Sequence, residues 1–213
     1  RSTEPVFEVD TATLMDFDVS QANGIHFVYV LPFDAHTALV ESTFFTERRL
    51  PDTVYEEAIE SWLAQRLPQA VFETVSREAG VIPMSTAPFD GWPSPRIVRI
   101  GTAGGHAKPS TGYAFLAVQR FVHEFAPRVV AALRAGGYAE PPAARSPRTT
   151  ALDTIFLSYL RSHPHRAPET FYRLFERVPP AVLARFLSDT GTLADDLTVM
   201  RTSDSPRLAL ETV

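Results

Sequence analysis

The stretch GTAGGHAKPSTGYAF, Gly101–Phe115, sets four glycines, a lysine and a proline between a strand-like RIVRI and a long apolar run. Glycines let backbone N–H groups come close to a phosphate or a ring edge, and the free N–H groups of a helix start attract anions. Lys108 adds positive charge. The spacing fits neither a P-loop, which requires G-x-x-x-x-G-K-[ST], nor a dinucleotide G-x-G-x-x-G. Two readings stand side by side: a loop that receives an anion or a ring, and a structural turn with a glycine-rich cap or bulge. Glu41, inside ALVESTFF, is the second candidate for chemistry. On an alternating strand it shares a face with Leu39 and Thr43, with Phe44 next in sequence. An apolar setting disfavours a charged carboxylate, which suits a general acid; the plainer reading is a half-exposed strand carboxylate held by an Arg or Lys. Asp16 in LMDF and Glu78 in EAGVIPM admit the same pair of roles, proton handling or a buried acid that accepts backbone N–H groups near a bend. His106 lies within the glycine loop and is a candidate ligand contact, whereas His163 and His165 flank Pro164 as loop residues. No histidine pair has helix-based metal spacing, so no metal site is expected.

These groups need elements to carry them. GIHFVYVLPF (Gly24–Phe33) and TALVESTFF (Thr37–Phe45) are rich in aromatic and β-branched residues. They are joined by Asp34-Ala35-His36, which predicts an antiparallel hairpin. A helix follows, with Thr53 and Glu56 at capping-box spacing. Its apolar stripe is Val54, Ala58, Ile59, Trp62 and Leu63, and Glu56, Glu57 and Glu60 face away from it. AVFETVSREAGVIPM (Ala70–Met84) predicts another strand, bent near Gly80, and RIVRI (Arg96–Ile100) a further one. From Gly112 onward Phe115, Val118, Val122, Phe125, Val129 and Leu133 recur at helical steps. Pro127 is expected to kink or restart that helix and Gly136-Gly137 to end it. YAEPPAARSPR is a connector, and three shorter helices are expected around 152–160, 169–177 and 181–188. A sheet with one long helix and a helical tail predicts an α+β fold.

Composition narrows the function. With Lys+Arg 20 against Asp+Glu 25 the net charge is −5, which removes the electrostatic footprint of a nucleic-acid binder. The absence of cysteine excludes disulfides, thiolate zinc sites and cysteine nucleophiles. No apolar run approaches the roughly 18 residues that cross a bilayer.

The glycine stretch, followed by Gln119, resembles the second flavin-contacting motif of the lycopene cyclases, FAD-dependent proteins that form carotenoid rings. LMDF (14–17), FVYVLPF (27–33), ALVEST (38–43), EAGVIPM (78–84), DTIFL (153–157) and RFLSD (185–189) match in the family's order, so the resemblance covers nearly the whole chain. It implies a two-domain FAD-binding flavoprotein fold with a mostly antiparallel substrate-domain sheet and a helical C-terminal region. The expected division is 1–95 for the sheet and one helix, 96–136 for the flavin-contacting loop and long helix, and 137–213 for the helical remainder. The family's first flavin motif, G-x-G-x-x-G, has no match, so the chain is expected to begin after the dinucleotide-binding unit.

By resemblance, Gly101, Gly104, Gly105, Lys108, Pro109, Ser110, Thr111 and Gly112 contact flavin, Glu41 is the catalytic acid, and Glu78 is a second proton-handling acid. Ser42 departs from the family, which usually carries a second acid there. The implied reaction protonates a terminal C=C of lycopene or another linear carotene and closes an ionone ring, with reduced FAD required and NAD(P)H as reductant. Phe27, Tyr29, Phe33, Phe44, Phe45, Tyr113 and Phe115 are candidates to line an apolar tunnel or to stabilise a cation. Peripheral association with the cytoplasmic side of a membrane is implied for so apolar a substrate. The alternative is a related redox flavoprotein, a polyprenyl reductase or an FAD-dependent hydroxylase.

Overall fold

A computed structural model describes residues 1–202, which form an α+β protein dividing into two compact units, Arg1–Val81 and a second that begins at Ile82. The first unit is built on a three-stranded antiparallel sheet of β1 (Thr13–Asp16), β2 (Ile25–Pro32) and β3 (Ala38–Phe45), with β2 in the centre. The expected hairpin is present, in unbroken register from Ile25 opposite Phe45 to Pro32 opposite Ala38. Its turn is set by Asp34, whose Oδ1 accepts the N–H groups of His36 and Thr37, each at 2.7 Å. These bonds hold the Asp34 carboxyl below the usual carboxylate range. β1 pairs with β2 through a register shift, and Met15 inside it takes a left-handed backbone (φ 55°). So short and bent a strand carries no period-2 signal of its own.

Val28 and Val30 point to the face covered by α1 (Asp52–Arg66), where they pack with Trp62 and, less deeply, Val40, Ala38 and Leu63. The expected helix stripe is the one used, and Glu56, Glu57 and Glu60 are exposed. The capping box is not formed. Pro51 occupies the N-cap without a side-chain bond, while Glu56 pairs with Arg77. Asp16 accepts the Trp62 indole N–H at 2.9 Å and pairs with Arg66 at 3.0 Å, which ties β1 to α1 and gives this acid a structural role.

Neither of the two further strands forms. Within Ala70–Met84 only Phe72 pairs, in a single bridge with Ser2, and Val71, Val75 and Val81 remain exposed. RIVRI makes one bridge between Ser94 and Ile97 and leaves Ile97 and Ile100 exposed. Both segments have strand composition, but a strand exists only through a partner, and none is paired along them.

The second unit is helical: α2 (Phe115–Arg134), α3 (Pro147–Ser162), α4 (Ala167–Arg177), α5 (Pro180–Leu187) and α6 (Leu193–Thr202). α2 runs through Pro127 as one helix, which sets aside the restart of the two outcomes expected there. It ends as expected at Gly136. The Gly137 N–H reaches Ala132 O at 2.8 Å and the Gly136 N–H reaches Leu133 O at 3.1 Å, the paired bonds of a Schellman cap. Its buried face is rotated from the expected stripe. Phe121 and Phe125 are buried, with Val118, Val129 and Ala132 beside them on the wheel, while Phe115, Val122 and Leu133 are exposed. α4, α5 and α6 pack together, with Phe171, Leu174, Leu183 and Val199 buried. α6 was not foreseen, although Thr192 and Asp195 form a capping box at its start. Among the described residues, no helix is long and apolar enough to cross a membrane.

Candidate functional site

Glu41 sits on β3 opposite Tyr29 of β2, so Glu41, Leu39, Thr43, Tyr29 and Phe27 share the sheet face turned away from the Val28–Trp62 core. The Thr43 hydroxyl donates to Glu41 Oε1 at 2.8 Å. The carboxylate is exposed, so the apolar pocket expected around it is not formed by these residues. Aromatic rings nonetheless gather on its face. Phe27 is fully buried and makes edge-to-face contacts with Phe17, Tyr29 and Phe45 at 5.2–5.3 Å. Phe44 lies on the opposite face, stacked on His26 at 3.9 Å. Ser42 also points there, and its hydroxyl meets His26 Nε2 at 3.0 Å while His26 Nδ1 meets Ser20 O at 3.0 Å. Burial holds His26 below the ordinary histidine value, so the imidazole is neutral with Nδ1–H donating to Ser20 and Nε2 accepting from Ser42. A second acid at position 42 therefore could not stand beside Glu41. Glu78 is exposed in irregular backbone.

The glycine loop opens with a 3-10 turn, Gly101–Gly104, and Gly101, Gly105 and Gly112 all have φ between 72° and 78°. What the backbone approaches closely is first of all its own chain. A Cβ on Gly104 would collide with the Arg99 carbonyl, and one on Gly105 would press to 3.1 Å against the Phe89 ring. At Gly101 a Cβ would meet nothing within 4 Å. The charge of Lys108 is met within the protein. Only 3% exposed, its Nζ lies 2.9 Å from Asp153 Oδ1 and 2.6 Å from Asp189 Oδ1, over the Phe186 ring. Ser110 donates to Asp153 Oδ1 at 2.6 Å. Arg145 reaches Asp153 Oδ2 at 3.2 Å and Asp189 Oδ2 at 3.7 Å, and donates to the carbonyls of Gly105, at 3.1 Å, and Ala107. Desolvation pulls Arg145 below its usual value, and the two carboxylates oppose that pull. Pro109, Thr111 and Gly112 form the turn between this cluster and α2, where the N–H groups of Thr111 and Gly112 both return to Lys108 O.

Sequence reasoning missed Arg145, Asp153 and Asp189 as partners of the loop. The signal was present, since Asp153 opens DTIFL and Asp189 closes RFLSD, two of the stretches that carry the resemblance.

His106 is buried. Its Nδ1 lies 3.2 Å from Gly101 O, its ring meets Phe121 edge-on at 4.4 Å, and its Nε2 has no hydrogen-bond partner among the described residues. Desolvation, the largest influence, lowers its pKa from the ordinary 6.5. The neutral ring with Nδ1–H donating to Gly101 leaves Nε2 as a bare acceptor. α2 begins without a side-chain cap, so its first-turn N–H groups are left to other partners.

A family model described as lycopene cyclase protein matches residues 1–210. No curated protein and no solved structure matches the chain.

Proposed function

We propose, from the premise that this chain belongs to the lycopene cyclase family, that it acts in closing the end groups of a linear carotene such as lycopene into ionone rings. In this reading the Glu41 carboxyl gives its proton to the terminal C=C. The neighbouring internal C=C attacks the resulting carbocation, and loss of a second proton leaves the ring alkene. One proton enters and one leaves, so the reaction is an isomerisation with no net redox change. The observation that carries the reading is the setting of Glu41: open to an incoming substrate, oriented by the Thr43 hydroxyl, and on a face with Phe27 and Tyr29. An apolar chain lying on that face strips water from the carboxylate and favours the protonated form the reaction needs. Tyr29, less deeply buried than Phe27, offers its π face to the cation. Glu78 is the second acid we nominate for proton handling.

The family implies FAD. The residues present fit it through the backbone rather than through charged side chains: an uncapped helix start at α2, open space at Gly101, and the bare Nε2 acceptor of His106. The loop 101–112 is the part of this chain we assign to holding it. When bound, reduced flavin, with NAD(P)H as reductant, supplies negative charge that stabilises the substrate cation. We place the enzyme peripherally at a membrane surface, where so apolar a substrate dissolves, and on its cytoplasmic side. The test is anaerobic incubation with lycopene in vesicles, FAD and NADPH. Ringed products, lost by about 100-fold or more in Glu41→Gln, support the reading. A saturated product formed with stoichiometric NADPH consumption selects the redox alternative.

A further inference from the structure

The glycine loop is held by charge rather than by a hydrogen-bonded sheet, and one carboxylate does most of the holding. Asp153, 1% exposed on α3, uses Oδ1 for Lys108 Nζ and Ser110 Oγ and Oδ2 for Arg145. Asp189, just past α5, takes the remaining reach of Lys108 and Arg145. Two cations and two anions make the cluster neutral. The two cations also govern loop backbone. Arg145 clamps the carbonyls of Gly105 and Ala107, and the Lys108 main chain donates to Tyr113 O and accepts from Thr111 and Gly112. The segment between these anchors contains glycines at positive φ, which on their own sample many conformations.

We propose that Asp153 is the positioning residue of this loop, fixing residues 105–113 through the Lys108–Arg145–Asp189 cluster, so that the loop's backbone is already in its binding shape before any ligand arrives. Its consequence for flavin rests on the loop's role as a flavin contact. Because the cluster is neutral, Lys108 serves as an internal anchor, and recognition by the loop falls to backbone N–H groups and His106. Preorganisation of this kind raises affinity by sparing the ligand the cost of ordering the loop.

The experiment follows amide hydrogen exchange across 101–113 in the flavin-free full chain, alongside melting temperature and FAD affinity by flavin fluorescence. Asp153→Asn leaves two buried cations against one anion. Exchange in 105–113 is expected to quicken about tenfold or more while α4 amides hold their protection, and FAD affinity falls by the same order. Ser110→Ala, which keeps every charge, is expected to show the same loop effect in weaker form and covers the case in which Asp153→Asn fails to fold. Lys108→Met combined with Asp153→Asn restores neutrality, so melting temperature is expected to recover while exchange at 108–113 stays fast. Recovery of both in the double variant, or unchanged loop exchange in both single variants, overturns the proposal by reducing the cluster to a stability element. If loop exchange responds but the unaltered protein shows no FAD binding even when joined to an upstream dinucleotide-binding unit, the flavin reading fails and the positioning role stands.

Discussion

Glu41 and Asp153 are both carboxylates inside stretches that carry the family resemblance, yet their surroundings are opposite. Glu41 is exposed and receives one neutral hydrogen bond, from Thr43. Asp153 is sealed from solvent and receives a lysine, an arginine and a serine. A carboxylate sealed from solvent and held by two cations and a hydroxyl is out of reach of a substrate. One that faces open space with a single orienting donor has the capacity to exchange protons with a substrate. Under the proposed function these two carboxylates, alike to motif matching, divide two duties: acting on the substrate, and holding the loop in shape.

The largest effects break the comparison from its two ends. Glu41→Gln is expected to cost about 10²–10⁴ in turnover while shifting stability by no more than about 0.5 kcal/mol, checked by product formation beside a denaturant melt. Asp153→Asn is expected to do the reverse in stability, losing about 3–5 kcal/mol by stranding buried charge. A melt that leaves Asp153→Asn near the unaltered protein would place that residue in Glu41's class.

A middle-sized effect comes from the buried histidines. His26 and His106 are held below 6.5 by desolvation, so between that value and their lower folded values the unfolded chain binds protons that the folded chain does not. Stability is thus fully present above pH 6.5 and falls as the pH drops through that window, by up to about 1.4 kcal/mol per pH unit for each histidine. Melting temperatures from pH 7.5 to 5.5 measure this, and a flat profile would show that neither ring is buried neutral. The smallest effect sharpens the comparison within one strand. Ser42→Ala, adjacent to Glu41 but on the other face, is expected to cost about 1 kcal/mol through the lost His26 bond and to leave turnover unchanged, read by the same melt and product assays.

The hairpin was readable because aromatic and β-branched runs flank the short polar link Asp34-Ala35-His36, and the end of α2 because only glycine enters the left-handed backbone at Gly136 cheaply. Ala70–Met84 and RIVRI were misread since strand composition does not report whether a partner is present. The buried face of α2 was misplaced because apolar residues line most of its circumference, and periodicity cannot choose between Val122 and Phe121. The loop cluster escaped because its members lie up to 81 positions apart and charged residues are ordinarily solvated. Glu41's face and neighbours followed from alternation; its exposure did not.

The most direct test of Glu41 as the acid is the mass of the product made in D2O. An exposed carboxyl exchanges its proton with solvent before each turnover, so protonation of the terminal C=C delivers deuterium to the new ring. The account predicts one solvent-derived deuterium per ring formed by the unaltered protein and no ringed product above background with Glu41→Gln. Rings that carry no deuterium, or that Glu41→Gln forms at the unaltered rate, would contradict it.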